Sequence, residues 1–218
     1  MVQAWAKAGY DCYCFDILND NSIERYDSGK IIKAYADLRD AKTLEFIKSL
    51  EPVIAFSFPP CTDLAVSGAK HFPIKEIDDP DFQLKAMELF LTLPNLELPC
   101  PWMIENPISI ASTLWRKPDF IFDPFEYGGY LAKNDRHPEY PEYIVPRDAY
   151  AKKTCIWTGN GFTQPPKKPV PLNEDTYYSA QTTKLGGKSE KTKRIRSETP
   201  RGFAQAVFEH MEPRVHHA

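Results

Sequence analysis

The segment Pro52-Val-Ile-Ala-Phe-Ser-Phe-Pro-Pro-Cys61 carries the strongest indication of the fold. Its β-branched and aromatic residues predict a buried strand, which ends at the two prolines because proline has no N–H to donate to a sheet. Pro101-Trp-Met-Ile104 predicts a second buried strand, which leads into Glu105-Asn106-Pro107. In an open parallel sheet these two strands end at the same edge, where ligands bind. The sequence therefore predicts that the thiol of Cys61 and the carboxyl of Glu105 face one crevice.

Strands and helices are expected to alternate around this pair. Further strands are predicted at Asp11–Asp16, which ends in an acid, and at Ile31–Ala36, which is followed by Asp37. The stretch 18–30 between them is polar and rich in turn-forming residues. This alternation continues to about residue 115 and predicts an α/β fold with a three-layer sheet. The spacing of apolar residues predicts helices at Val2–Ala8, Asp40–Leu50 and Phe82–Leu93.

The composition divides the chain into three parts. Residues 1–117 hold the alternating pattern, and residues 118–198 form a small region that begins rich in proline, tyrosine, aspartate and glycine. One strand is predicted inside that region, at about 152–158. The last part, 199–218, holds a helix over Gly202–Met211 with a proline near its first position. We expect this helix to pack on the first part.

The composition also excludes several classes of protein. No run of apolar residues approaches the roughly eighteen that a membrane span needs, and no secretory signal is visible. The five cysteines are an odd number without a C-x-x-C pair, which argues against a disulfide scaffold and a zinc ribbon. No histidine–cysteine spacing fits a metal site. We expect a protein of the reducing cytoplasm without a metal, and the sequence leaves its oligomeric state open.

The net charge of −3 conceals an uneven distribution. Residues 150–218 contain twelve lysines and arginines against six acids, so the rest of the chain is strongly acidic. Seven of these basic residues lie within 184–201, a range that overlaps the end of a stretch, 163–198, that is expected to be mostly loop. A local basic stretch beside an acidic body suits contact with a polyanion, and a solvated loop explains the same charges equally well.

Four short motifs occur in an order that matches a known family. They are Pro59-Pro60-Cys61, Glu105-Asn106-Pro107, the strand that begins with Lys152-Lys153, and the C-terminal Thr199-Pro200 followed by Gly202-Phe-Ala. In these motifs the chain resembles the cytosine-5 DNA methyltransferases, most closely their short phage-encoded type, over nearly its whole length. The resemblance implies a Rossmann-like sheet, S-adenosyl-L-methionine as the methyl donor, and methylation at carbon 5 of a cytosine flipped out of duplex DNA. The location implied is the cytoplasm of a bacterium or of a phage-infected host cell.

The chemistry of this transfer explains why a thiol and a carboxylic acid are needed together. Carbon 5 of cytosine is a poor nucleophile until a thiolate adds to carbon 6 and turns the ring into an enamine. The resemblance assigns the thiolate to Cys61, in a turn held rigid by Pro60, and backbone amides just after it are expected to favour the thiolate. Glu105, whose pKa is expected to be raised in a poorly hydrated pocket, would donate to ring nitrogen 3, and Asn106 would fix its loop. On the residues alone, a structural cysteine and a capping acid stay open as alternatives.

The resemblance also assigns residues to the methyl donor and to DNA. For the donor it implies Asp16 at the ribose hydroxyls and Asp37 at the adenine amino group, beside Ile17, Leu38 and Pro59. For DNA it implies that Lys152 and Lys153 contact the target base and that Arg194 and Arg196 contact phosphates. It also implies a flap over the flipped base within 63–72, which contains Ser67 and Gly68. An ordinary turn acid or an exposed lysine is the structural alternative at these positions.

The N-terminal part of the sequence departs from the family pattern. The family opens with a strand and a Phe-x-Gly-x-Gly turn at the methyl donor, and the sequence contains no such turn. In the usual strand order the absent strand lies between those that end at Asp16 and Cys61, so backbone groups there would be unpaired. An upstream start of the chain, or another segment in the gap, would supply it. Two other functions therefore stay open: the same chemistry on a free nucleotide such as dCMP, and a catalytically inactive nucleic-acid-binding protein.

Overall fold

The computed structural model describes residues 1–172, 184–186 and 189–215, which contain two sheets with helices on both sides. The strands are β1 (Asp11–Asp16), β2 (Ser22–Arg25), β3 (Lys30–Tyr35), β4 (Ala55–Ser57), β5 (Trp102–Pro107), β6 (Phe120–Phe122) and β7 (Thr154–Gly159). The α-helices are α1 (Gln3–Lys7), α2 (Ala41–Ser49), α3 (Phe72–Asp78), α4 (Phe82–Phe90), α5 (Thr92–Asn95), α6 (Ala111–Leu114), α7 (Glu190–Ser197) and α8 (Arg201–Val215). Short 3-10 helices lie at Val66–His71, Pro124–Tyr130 and Pro146–Asp148.

The sheets combine parallel and antiparallel strands. The first has the order β1-β3-β2, in which β1 and β3 are parallel and β2 is antiparallel. The second has the order β4-β5-β7-β6, in which β4 and β5 are parallel and the other two are antiparallel. The predicted α/β class is confirmed. Because Ser57 of β4 pairs with Ile104 of β5, the prediction that these two strands end at the same edge is confirmed as well.

Strand β5 is buried on both faces, which places helices in layers above and below it. Its side chains alternate between the faces, as the pleat requires. Trp102 and Ile104 belong to a cluster with Phe90 of α4. Met103 points the other way, into a cluster with Phe203 of α8. The expected packing of the C-terminal helix on the first part of the chain is therefore present.

The two sheets are interrupted where the sequence analysis expects an absent strand. In the part of the chain that the structure describes, β1 pairs only with β3, and β4 pairs only with β5. Helix α1 links the two sheets, since the ring of Trp5 lies 6.0 Å from that of Phe56 and shares a core cluster with Cys12 of β1. Strands β1 and β4 are thus edge strands of their sheets, and the Trp5 side chain belongs to the core cluster that joins the two sheets.

The structure contains two elements that the sequence pattern does not mark. The stretch 18–30 contains β2, whose side chains are mostly exposed, so that no apolar alternation marks it in the sequence. The stretch 163–198 contains α7, which turns only Thr192 and Ile195 inward. Contacts at its two ends stabilise this helix instead. The Ser189 side chain accepts from the Thr192 N–H, and arginines occupy the last turn. The predicted helix over Phe82–Leu93 is also divided, into α4 and α5.

Candidate active site

The thiol and the acid lie at the shared carboxyl ends of β4 and β5. Cys61 follows the two prolines that end β4, and Glu105 lies on β5 next to Asn106. Asn106 is 1% exposed, and its Nδ2 donates to the carbonyl oxygen of Pro59 at 3.1 Å. This bond joins the acid-bearing strand to the turn that carries the thiol. The predicted role of Asn106 in fixing the site is therefore visible as a contact, although it holds the Pro59-Pro60 turn rather than its own loop.

A second set of backbone bonds fixes the turn at Cys61 from the other side. The carbonyl oxygen of Cys61 accepts from the N–H groups of Leu64 and Ala65, at 3.1 and 2.8 Å. The same segment then pairs with the chain after β5, where Ile110 N donates to Leu64 O at 2.9 Å. The amides of Leu64 and Ala65 thus serve the carbonyl oxygen of Cys61. A backbone hydrogen bond does lower the pKa of the Cys61 thiol, and the expectation that the amides just after Cys61 favour the thiolate stays a prediction.

The charges around Cys61 act in opposite directions on its thiol. Cys61 is exposed as a residue, yet the protein atoms around its sulfur raise its pKa, and the Glu105 carboxyl raises that pKa further. The ammonium of Lys152 lowers it. Cys61, Glu105 and Lys152 therefore form one electrostatically coupled group where β4 and β5 end.

Glu105 has the electrostatic character expected of a proton donor. Burial raises the pKa of its carboxyl, and only the charge of Lys152 is resolved as acting against that rise. A neutral carboxyl donates a hydrogen bond, whereas a carboxylate only accepts. The expected rise is confirmed.

The other four cysteines are poor candidates for the nucleophile. Cys12, Cys100 and Cys155 are buried, and Cys14 is half-buried. Burial raises the pKa of Cys12 and of Cys155 to about 11. Reactive cysteines need an accessible sulfur and a reachable thiolate form. Among the five, Cys61 alone is exposed.

The two lysines of the predicted base-contact motif have different environments. The Lys153 ammonium pairs with Asp123 Oδ2 at 2.6 Å, outside the set of charges that act on Cys61. The Lys152 ammonium donates to the carbonyl oxygen of Arg196 at 2.7 Å and acts on Cys61 and Glu105. The structure therefore places one of the pair, Lys152, at the site.

The predicted phosphate contacts lie on α7. Lys191, Lys193, Arg194 and Arg196 are exposed on this helix, whereas its inward positions are uncharged. Arg196 Nη2 donates to the carbonyl oxygen of Leu185 at 2.7 Å, which orients its guanidinium. Contact of these residues with DNA stays a prediction.

The predicted flap after Cys61 is helical rather than an open loop. Ser67 and Gly68 lie in the 3-10 helix Val66–His71, which continues directly into α3. Lys75 of α3 pairs with Asp63, two residues after Cys61, and so ties the helix back to the turn. The segment leaves Ile77 82% exposed. Closure of this segment over a base stays a prediction.

The residues predicted to hold the methyl donor lie at the ends of β1 and β3. Asp16 pairs in register with Tyr35, so Asp16 and Asp37 are at neighbouring strand ends. Each acid already accepts a local backbone N–H, Asp16 from Leu18 at 2.8 Å and Asp37 from Arg39 at 2.9 Å. These bonds also suit an ordinary turn. Of the apolar neighbours, Ile17 is exposed, and Leu38 and Pro59 are half-buried.

Two acids at the site escaped the sequence analysis. Glu198 lies within range of Lys152, and burial raises the pKa of its carboxyl. Asp123 is 6% exposed and accepts from the backbone N–H of Lys152 at 2.9 Å. The sequence does hold a signal for Asp123, since Asp123-Pro-Phe-Glu126 is a capping-box pattern. No comparable pattern marks Glu198.

Comparison with known proteins leaves the geometry as the basis for assigning a function. No family model matches the chain, and no curated protein matches it. Within the described residues no cluster of three or more histidine, cysteine, aspartate or glutamate side chains could hold a metal ion. Over the same residues, none of the helices has the length and apolar character to cross a membrane.

Proposed function

We propose that the protein transfers a methyl group from S-adenosyl-L-methionine to carbon 5 of cytosine in DNA. The observation that carries the proposal is the convergence of Cys61, Glu105 and Lys152 where β4 and β5 end side by side. An accessible thiol, a carboxyl with a raised pKa and a cation are the groups that addition to a cytosine ring needs. The Rossmann-like methyltransferase sheet belongs to this proposal and rests on the resemblance of the motifs.

Cys61 and Glu105 act on opposite sides of the cytosine ring system. As the Cys61 sulfur forms its bond to carbon 6, the electron pair of the 5,6 double bond moves into the ring, and the thiol proton passes to solvent. The neutral carboxyl of Glu105 donates to nitrogen 3 and stabilises the charge that develops there. Carbon 5 would then be nucleophilic and accept the methyl group, with S-adenosyl-L-homocysteine as the leaving group. The carbon 5 proton would pass to solvent, and its electron pair would re-form the 5,6 double bond as the bond to sulfur breaks and the Cys61 thiolate leaves.

Lys152 offsets the unfavourable ionisation of the thiol. Burial and Glu105 raise the pKa of Cys61, and the Lys152 ammonium lowers it. A cytosine stacked in the site would hold Glu105 neutral through nitrogen 3, which removes one of the two causes of the raised pKa. Lys152 and a bound substrate therefore promote the thiolate together, so that the reactive form accumulates when the base is in place.

The residues at the ends of β1 and β3 fit the adenosine part of the methyl donor. Two acids at neighbouring parallel strand ends suit ribose hydroxyls and an adenine amino group, and exposed apolar side chains between them suit a purine face. Asp16, Ile17, Asp37, Leu38 and Pro59 would hold that part. S-Adenosyl-L-methionine supplies an electrophilic methyl group when bound. No residue is assigned to its methionine part, because the chain lacks the glycine turn.

The DNA backbone is proposed to contact the exposed basic face of α7. Arg194 and Arg196 occupy the last turn of that helix, and the carbonyl oxygen of Arg196 holds the Lys152 ammonium. The basic helix is thus directly connected to the catalytic groups. A duplex bound through such cations is expected to dissociate as salt is added, because counterions compete for its phosphates.

Methyl transfer from isotopically labelled S-adenosyl-L-methionine tests the proposal. The acceptors are duplex DNA of mixed sequence and free dCMP, and the product is identified as 5-methylcytosine by mass spectrometry. The proposal predicts label in DNA that decreases steeply with added salt. Label in dCMP alone would instead assign the same chemistry to a nucleotide. No label in either acceptor, under conditions where the folded protein binds DNA, would contradict the proposal.

The interrupted sheet favours a second candidate, a nucleic-acid-binding protein without catalysis. In the described part of the chain β1 and β4 have no strand between them, and the donor half lacks its glycine turn. Titration with S-adenosyl-L-homocysteine distinguishes the two candidates. Saturable binding supports the enzyme, whereas DNA binding without any affinity for this compound supports the second candidate.

A further inference from the structure

Asp123 connects four segments around the start of β7. It lies just after β6 and begins the 3-10 helix Pro124–Tyr130, where its side chain and that of Glu126 form a reciprocal capping box. One carboxylate oxygen accepts from the Lys152 N–H at 2.9 Å, and the other accepts from the Lys153 ammonium at 2.6 Å. Its carboxyl group is therefore shared between the helix end and two consecutive lysines.

The burial of Asp123 makes these contacts obligatory. Its side chain is 8% exposed, and a carboxylate removed from water is costly unless its oxygens are hydrogen-bonded. Lys153 remains 63% exposed, so the acid is the buried partner of this ion pair and the lysine is the exposed one. The acid therefore controls the direction of Lys153, and not the reverse.

Lys152 is held at three places as a result. Its N–H binds Asp123, its carbonyl oxygen accepts from Thr154 Oγ1 at 2.9 Å, and its ammonium donates to Arg196 O at 2.7 Å. A lysine side chain usually samples many rotamers, and fixing its backbone on both sides narrows where its ammonium can lie. The position reached acts on both Cys61 and Glu105.

We infer that Asp123 is a positioning residue of the active site. It binds the backbone of Lys152 and the ammonium of Lys153 at once, so that two neighbouring lysines have different environments. The ammonium of Lys152 is directed to the thiol and the acid, and that of Lys153 is paired with Asp123. The inference rests on the proposed function for its meaning in catalysis, but the placement of Lys152 beside Cys61 can be tested without turnover.

The test is the pH dependence of Cys61 alkylation by iodoacetamide, followed on the Cys61 peptide by mass spectrometry. All variants carry Glu105→Gln, which removes the titration of the neighbouring acid. Lys152→Met is expected to slow alkylation near neutral pH about threefold, because the pKa of the thiol rises without the cation. Asp123→Asn, which keeps the side-chain shape and removes the charge, is expected to give about half of that shift in pKa.

Glu126→Gln is the matched control. It makes the same change of charge in the other half of the capping box, where the Glu126 carboxylate accepts from the Asp123 N–H and from the Lys167 ammonium. Its alkylation profile is expected to follow that of the Glu105→Gln parent. A shift as large as that of Asp123→Asn would mean general loosening and would overturn the inference, as would an unshifted profile in Asp123→Asn or Lys152→Met.

A second variant tests the inference if Asp123→Asn does not fold. Thr154→Val removes the hydroxyl that binds the Lys152 carbonyl oxygen, and a smaller shift in the same direction is expected. No shift would overturn the inference. The methylation assay separates the two claims, because absent methyl transfer with shifted alkylation profiles refutes the enzyme and retains the positioning role.

Discussion

The two strand-end sites of the molecule differ in how their side chains are held. At the ends of β4 and β5, Asn106 reaches across to Pro59, and the acid and thiol act on each other electrostatically. At the ends of β1 and β3, Asp16 and Asp37 each accept from an N–H group two residues further along the chain, and Asp37 also lies 3.9 Å from the Arg39 guanidinium. Asn106 joins distant segments at the first site, whereas the two acids of the second site are held by local turns. Under the proposed function, this difference predicts a preformed catalytic half and a donor half that depends on its ligand.

The largest effect is expected when the thiol of the catalytic half is removed. Cys61→Ser should lower methyl transfer by at least about a thousandfold, because an alcohol at this position is a far weaker nucleophile than a thiolate. The measurement is the rate of 5-methylcytosine formation in DNA. Cys14→Ser is the matched control, because Cys14 is half-buried on β1 and should retain the parent rate. Equal losses in the two variants would assign the effect to folding.

Glu105→Gln is expected to have opposite effects on two reactions at the same thiol. Methyl transfer should decrease about a hundredfold, because the amide cannot supply a proton to nitrogen 3. Alkylation of Cys61 by iodoacetamide should become faster near neutral pH, because Glu105 raises the pKa of the thiol. Measurement of both rates on one preparation checks this. Parallel decreases in the two rates would show that Glu105 does not act on Cys61 as described.

Substitution of the two asparagines whose side-chain amides join separate segments compares the two sites by the loss in free energy of unfolding. Asn106→Ala should lower the free energy of unfolding by about 1–3 kcal/mol, since it removes a hydrogen bond of a buried side chain and leaves the carbonyl oxygen of Pro59 without this donor. Asn19→Ala is the counterpart in the other sheet, where Nδ2 donates to Cys14 O at 2.7 Å and to Ala34 O at 3.2 Å. Asn19 is half-buried, so a smaller loss is expected. Denaturant unfolding measures both, and a larger loss at Asn19 would reverse the comparison.

Substitution of the acids tests the donor half by affinity. Asp16→Asn and Asp37→Asn should each weaken binding of S-adenosyl-L-homocysteine about tenfold, the effect of one charge-assisted hydrogen bond. Asp20→Asn, at an exposed acid that accepts from Ser22 Oγ, should bind like the parent. Calorimetric titration gives the dissociation constants. Unchanged affinity in both strand-end variants would remove these acids from the donor site.

The smallest expected effect is on the pH dependence of stability. Burial raises the folded-state pKa of Glu105, so the folded protein holds a proton that the unfolded chain releases above the ordinary glutamate pKa. Stability should therefore decrease as pH rises from that value to the raised one. Glu105→Gln should flatten the dependence of the free energy of unfolding on pH over that range. Asp148, whose pKa burial raises to about 6, contributes with the same sign, so Asp148→Asn supplies the comparison.

The sequence predicts the site best where strong local signals coincide. Apolar runs stopped by prolines predict β4 and β5, and their parallel pairing brings Cys61 and Glu105 to one edge. Strand β2 is held mainly by its backbone pairing with β3, and its side chains are mostly exposed. No apolar alternation therefore marks it in the sequence. The different fates of Lys152 and Lys153 depend on Asp123, about thirty residues earlier in the chain, and no spacing rule relates residues so far apart.

Covalent trapping of Cys61 tests the central claim most directly. The protein is incubated with S-adenosyl-L-methionine and duplex DNA that carries 5-fluorocytosine in many sequence contexts, because fluorine at carbon 5 prevents the final loss of a proton. We predict an adduct that survives denaturation, maps to the Cys61 peptide and is absent from Cys61→Ser. A folded protein that binds both partners and yields no adduct, or an adduct at another cysteine, would contradict the account.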